Sequence, residues 1–132
     1  MIKRIVLMAF AMFIIGAGAT AATAQDWDDL GTREVLDRAD HDTWNVGKGK
    51  GEFRRIKFAV RDRQVRFYRV EVKYENGRTE TFQIRNLINA GGQTRAIDLT
   101  GGERFIDNVQ VWYEASTVRR GRRSHVTLYG LR

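Results

Sequence analysis

The stretch that decides the fold is Phe53-Arg54-Arg55-Ile56-Lys57-Phe58-Ala59-Val60-Arg61. Ile56, Phe58 and Val60 alternate with Arg55, Lys57 and Arg61, so an extended chain would send apolar and charged side chains to opposite faces. A helical stripe would need its apolar residues three or four apart. The pattern predicts a half-buried antiparallel strand.

The same period recurs on both sides of this run. Val70, Val72 and Tyr74 alternate with Arg69, Glu71 and Lys73. Phe82 and Ile84 alternate with Thr81, Gln83 and Arg85, and Val109, Val111 and Tyr113 with Asn108, Gln110 and Trp112. Val126 and Leu128 sit between His125, Thr127 and Tyr129, while Leu30 to Leu36, Thr43 to Val46 and Arg95 to Leu99 are shorter candidates. About eight strands at intervals of roughly 12 residues predict an all-β fold, a single antiparallel β-sandwich of jelly-roll-like architecture. Glycine falls between the runs, at Gly47, Gly49, Gly51, Gly77, Gly91-Gly92, Gly101-Gly102 and Gly121, and no proline is present to share the turn chemistry.

Side-chain parity settles the turn at Asn76-Gly77. A two-residue loop would set Val72 opposite Thr81 and Glu71 opposite Phe82, mixing the two faces. A three-residue loop Glu75-Asn76-Gly77, with Gly77 in the left-handed region, pairs Val70 with Phe82 and Tyr68 with Ile84. Arg69, Glu71 and Lys73 then lie beside Thr79, Thr81 and Gln83 on the solvent face.

The N-terminus predicts export. Lys3 and Arg4 precede the apolar run Ile5 to Ile15, small residues follow, and Ala22-Thr23-Ala24 is an A-x-A cleavage pattern. This assigns residues 1–24 to a signal peptide and residues 25–132 to the β-sandwich domain, periplasmic or secreted, with no transmembrane segment in the mature chain. An uncleaved anchor is the alternative, since Ile5 to Ala24 is uncharged for about the 20 residues a bilayer requires. Cleavage removes Lys3 and Arg4, which lowers the formal charge from +7 to +5.

With 132 residues, 42% hydrophobic and 30% charged, the chain has material for one core. It contains no cysteine, so thiol redox chemistry, cysteine nucleophiles and zinc-thiolate sites are excluded, and the exported domain stands without disulfides. Serine occurs only at Ser116 and Ser124 and histidine only at His41 and His125. Ser124 and His125 are neighbours on a strand and so point to opposite faces, which argues against a nucleophilic hydrolase. The acidic residues fall on solvent faces and in turns, which argues against a paired-carboxylate glycosidase. The expectation is a protein that is not an enzyme and uses no cofactor.

Two charged clusters remain. Asp37, Asp40 and Asp42 lie within six residues and are followed by a glycine-rich loop, a set of oxygen donors of the kind Ca²⁺ takes. The alternative is that these aspartates cap a turn through their own backbone, and Arg38 within the group favours that. A transition-metal site at His41 is the remaining alternative, and otherwise no metal is expected. Arg119, Arg120, Arg122 and Arg123 form the second cluster, where four guanidiniums on one loop would hold phosphate or carboxylate bidentately. The alternative is a solvated turn in a chain where arginine outnumbers lysine throughout. Trp112, by parity opposite Val111 and Tyr113, is either a surface aromatic for stacking on a ligand or, like Tyr129, partly buried under the segment around Trp27.

The order Trp27, Leu30-Gly31, Val35, Asp40-His41-Asp42-Thr43, Val46-Gly47, Asn76-Gly77, Ala90-Gly91-Gly92-Gln93-Thr94-Arg95, Asp98-Leu99, Gly102, Arg104-Phe105-Ile106 and Val109 to Tyr113 resembles a family of small exported proteobacterial β-sandwich proteins catalogued only as a domain of unknown function. The resemblance implies the sandwich and carries no activity or ligand. The expected function is therefore a non-catalytic binding module that grips an anionic lipid, glycan or acidic protein of the envelope through the basic loop, with nucleic acid disfavoured. The alternative is an envelope structural or assembly protein that associates through strand edges and the Trp112 face.

Overall fold

Each of the long alternating runs forms a strand. The structure, a computed structural model, describes residues 26–35, 39–115 and 123–132. Nine strands appear in it: β1 (Trp27–Val35), β2 (Ala39–Asn45), β3 (Glu52–Phe53), β4 (Arg55–Arg61), β5 (Val65–Tyr74), β6 (Thr79–Ile88), β7 (Ile97–Asp98), β8 (Arg104–Ala115) and β9 (Ser124–Leu131). The residues assigned to a signal peptide lie outside the described residues, as do Asp37, Arg38, Arg119, Arg120 and Arg122. No helix among the described residues is long and apolar enough to cross a membrane.

Two antiparallel sheets pack face to face, one in the order β1-β9-β4-β7 and the other β2-β8-β5-β6, with β3 paired to the start of β8. The chain changes sheet at almost every connection, which is the winding of an eight-stranded jelly roll. β3 is the one strand that the alternation did not separate, because two residues are too few to show a period.

The inward residues make one core. Ile56, Phe58 and Val60 of β4 face Val70 and Val72 of β5 and Val109 and Val111 of β8, with Val126 and Leu128 of β9 alongside. Four aromatics fix the spacing of the layers. The Phe58 ring lies 5.6 Å from Trp44 at an interplanar angle of 60° and 5.6 Å from Phe67, and Tyr113 completes the group 6.4 Å from Trp44 and 5.8 Å from Phe67. Edge and tilted contacts of this kind contribute beyond the area they bury.

The hairpin holds the three-residue loop. Val70 pairs with Phe82 and Lys73 with Thr79, the Gly77 amide donates to the Tyr74 carbonyl at 2.9 Å, and Gly77 has φ +89°. The expected pairing of Tyr68 with Ile84 is corrected. The register slips between Phe67 and Arg69, so Tyr68 stands against both Ile84 and Arg85, and Arg85 takes φ +47°. A second correction concerns residues 39–42, expected as a turn. They open β2, with Asp40 and Asp42 on the same side as the buried Trp44. Likewise the run Arg95 to Leu99 shortens to the two paired residues of β7.

Side chains close both flanks of the sandwich. Between β1 and β2, the Arg33 guanidinium donates to the Thr43 carbonyl through Nε at 3.2 Å and Nη2 at 3.1 Å, and Trp44 Nε1 donates to the Gly31 carbonyl at 2.9 Å. Between β6 and the β7 segment, Arg95 Nη2 donates to the Gln83 carbonyl at 3.4 Å and the Thr100 amide to a Glu80 carboxylate oxygen at 3.2 Å. These contacts occupy edge groups that would otherwise template another chain.

Two glycines test the account of the backbone. A Cβ on Gly130 would stand 2.6 Å from the Phe53 ring, whereas one on Gly77 meets nothing within 4 Å and costs only its positive φ. Gly77→Ala should therefore lower stability by about 1 kcal/mol, and Gly130→Ala by more, about 2 kcal/mol, since overpacking displaces a buried ring. Urea unfolding measures both, and a Gly130 variant as mild as the Gly77 variant would contradict the close approach of β9 to Phe53.

Candidate functional site

Trp112 stands on the outer face of the second sheet, as parity requires, but its ring is not open for stacking. β8 runs between β2 and β5, and Trp112 pairs with His41 on one side and Arg69 on the other. The His41 ring lies parallel at 4.3 Å, and the Arg69 guanidinium lies 3.9 Å from the ring centroid on the opposite side. Both π faces are occupied, so a sugar or base meets only the indole edge. Burial near Trp27 occurs instead on the outer face of the other sheet. There Lys57 Nζ lies 4.1 Å from the Trp27 centroid and 6.0 Å from that of Tyr129, and Leu131, between Trp27 and Arg55 in the register, is only 2% exposed.

The arginine cluster is described only at Arg123. Arg123 and the strand ends Ala115 and Ser124 lie at one end of the sandwich. Ala115 pairs with Val65, Ser124 pairs with Val35, and the Ser124 hydroxyl is buried and donates to the Arg63 carbonyl at 2.9 Å. Arg61, Arg63, Arg66 and Arg123 are gathered at this end on consecutive turns and strand tips. Arg123 Nη1 lies 3.4 Å from Glu34, and Arg61 Nε lies 3.5 Å from Asp62. Between those two pairs stands His125, with Nδ1 2.6 Å from Asp62 and Nε2 3.6 Å from Glu34. Asp62 takes φ +78°. His125 and Ser124 do point to opposite faces, so the imidazole has carboxylates within reach and no hydroxyl.

Sequence reasoning treated His125 only as a failed catalytic partner. Its two carboxylates come from β1 and the β4–β5 turn, which are 91 and 63 positions away. No spacing in the sequence announces that meeting.

Of the calcium candidates, Asp40 and Asp42 are described. Asp42 accepts a hydrogen bond from the Tyr113 hydroxyl at 2.5 Å, and no cluster of three acidic or histidine side chains placed to hold a metal exists among the described residues. Burial raises the Tyr113 hydroxyl well above the ordinary phenol value, and Asp42 raises it further through the hydrogen bond and its charge.

At the other end of the sandwich lies an open cleft of about 440 Å³ lined by Lys48, Glu52, Tyr74, Glu75, Asn76, Glu103, Arg104 and Phe105. The Arg104 guanidinium is stacked 3.9 Å above the Tyr74 ring and donates to the Thr100 carbonyl at 2.7 Å. The Tyr74 hydroxyl donates to Glu80, which also accepts from the Thr100 hydroxyl and amide. Burial raises the Tyr74 hydroxyl, with Glu80 adding to the effect. For Glu80 itself, burial works upward, but the bonds from Thr100 and Tyr74 and the charge of Arg104 outweigh it and hold the carboxyl below its usual range.

A family model described as a domain of unknown function (DUF2541) matches residues 5–130. No curated protein matches the chain. Among solved structures, the chain is similar to one titled "Structural and functional characterization of Pseudomonas aeruginosa AlgX", at 14% identity and a TM-score of 0.46, covering 93% of this chain and 33% of that one. The chain thus spans about a third of the structure it resembles.

The two tyrosines and Glu80 each tie stability to pH. A hydroxyl raised in the folded state contributes stability below its ordinary value of 10.0, and that contribution is lost as pH rises beyond it. Glu80 is depressed, so its contribution is present above 4.5 and lost as pH falls. Urea unfolding across the alkaline range should show a steep loss in the native protein and a shallower one in Tyr113→Phe. That variant is also weaker at neutral pH by about 1–3 kcal/mol, because Asp42 loses its donor. An equally steep alkaline loss in both proteins would contradict the assignment.

Proposed function

Since the chain belongs to the family described as a domain of unknown function (DUF2541), a description that names no activity, we propose its role from its geometry: an exported, non-catalytic binding module that grips anionic envelope components with the arginine-rich end of its sandwich. The observation that carries this reading is the uneven distribution of charge. Arg61, Arg63, Arg66 and Arg123 surround one end, and the segment that joins Ala115 to Arg123 adds Arg119, Arg120 and Arg122. The carboxylates described at that end are Glu34, Asp40, Asp62 and Glu114, and Glu114 is taken by the Tyr68 hydroxyl at 2.6 Å, so the excess of positive charge comes from the loop arginines. By contrast the cleft at the opposite end carries three carboxylates to two cations.

Guanidiniums match this role because their planar forks bind phosphate or carboxylate oxygens in pairs and are weakly hydrated. Among the described residues, the inward commitment of Ser124 and the carboxylate contacts of His125 leave no serine and histidine in contact, in keeping with binding rather than turnover. Assembly through strand edges is the second class of function. The side-chain bonds from Arg33, Trp44 and Arg95 to edge carbonyls weigh against it.

The test replaces Arg119, Arg120, Arg122 and Arg123 together with glutamine and compares retention on a phosphate-bearing matrix and on phosphatidylglycerol vesicles at low salt. The control removes the same charge from the far end, at Lys48, Lys50, Lys73 and Arg78, none of which has an acidic partner among the described residues. The loop variant should lose retention and keep its melting temperature, since exposed charges contribute little to folding. Native binding should weaken steeply as ionic strength approaches 0.15 M, where the Debye length is about 8 Å. Retention on the matrix alone would make the ligand a soluble phosphate. Equal loss in both variants would mean that overall charge is sufficient, and the loop would be a solvated turn.

A further inference from the structure

His125 faces charged groups from each element packed around it. Glu34 comes from β1, Arg61 from the end of β4, Asp62 from the turn that follows, and Arg123 from the approach to its own strand. Asp37, Arg38 and the three remaining loop arginines belong to segments outside the described residues.

Within this group two donors meet at each carboxylate. Glu34 receives Arg123 at 3.4 Å through Oε1 and His125 at 3.6 Å through Oε2. Asp62 receives Arg61 at 3.5 Å and His125 at 2.6 Å through the same oxygen, Oδ2. A neutral imidazole has one N–H and can donate to one carboxylate only, while its other nitrogen turns a lone pair toward the second. The imidazolium donates to both. Protonation therefore changes what the carboxylates ask of the arginines.

We propose that His125 is a pH-operated switch on the anion grip: as imidazolium it occupies Glu34 and Asp62 and releases Arg123 and Arg61 to an anion, and as neutral imidazole it returns those carboxylates to the arginines. The inference rests on the binding reading above and adds its regulation. With Glu34, Asp62, Arg61 and Arg123 ionised throughout, the local balance moves from zero to +1 on protonation. The His125 side chain is 29% exposed, so protons reach it without any opening of the core. Asp62, a non-glycine residue at positive φ, presents its carboxylate to the imidazole from a turn that the sequence alone would not favour.

The experiment has two readouts on the full mature domain. The first is binding to mixed phosphatidylcholine and phosphatidylglycerol vesicles as pH is lowered from about 8 to about 5. The native protein should tighten about fivefold, the effect of one added charge near an anionic surface, and His125→Gln should stay level. The second is the NMR signal of the Arg61 and Arg123 Nε–H groups in the absence of any ligand. Both should follow the titration of His125 in the native protein and be static in His125→Gln.

A His125→Gln variant that keeps the full pH response, or arginine signals that ignore the titration, would overturn the switch. Failure of the native protein to bind vesicles at any pH, with the arginine signals still following His125, would overturn the binding reading and support the exchange of ion pairs. Since glutamine retains a donor and the site is on the surface, melting of the variant within a few degrees of the native protein confirms that folding is not what is being read.

Discussion

Phe58, reaching from β4 into the gap between Trp44 and Phe67, is the contact on which the two sheets depend. Its neighbours along the strand, Ile56 and Val60, are as fully buried, so one seven-residue strand supplies the middle of the core for three strands of the facing sheet. A buried phenylalanine of this kind is worth about 3–5 kcal/mol when truncated to alanine, a large part of the stability of a domain this size. Without cysteine, no disulfide can substitute for that packing. The flank contacts of Arg33, Trp44 and Arg95 then close what the core leaves open.

What the sequence could say followed from how far each interaction reaches along the chain. The period of two in β4, β5, β8 and β9 is local, as is the three-residue loop at Asn76-Gly77, and parity alone selected the pairing of Val70 with Phe82. The family resemblance rested on the same turns and strand starts. Beyond them, the slip at Tyr68 was invisible because a bulge shows only when both partner strands are known. β2 was shortened in the reading because aspartate disfavours strands. Asp42 is tolerated there because Tyr113, 71 positions later, supplies its donor.

The site was less legible for the same reason. Parity sets Trp112 opposite Val111 and Tyr113 but leaves open whether it is exposed or partly buried; that depends on His41 and Arg69 in two other strands, and they cover its faces. Arg123 read as one member of a run without acidic partners in the loop. Its partner Glu34 is in β1. The run itself was plain in the sequence, but the convergence of Arg61, Arg63 and Arg66 on the same end required the sandwich. Charge density at a surface is a property of the fold, and composition reports only its total.

The central functional claim is that anions bind at that end and nowhere else in strength, and residue-resolved NMR during a titration with inorganic phosphate tests it directly. The account predicts saturable shifts at Arg61, Val65, Ala115, Arg123 and His125, with Lys48, Lys73 and Arg78 unmoved. Shifts spread evenly over both ends, or confined to the cleft at Tyr74 and Arg104, would contradict it.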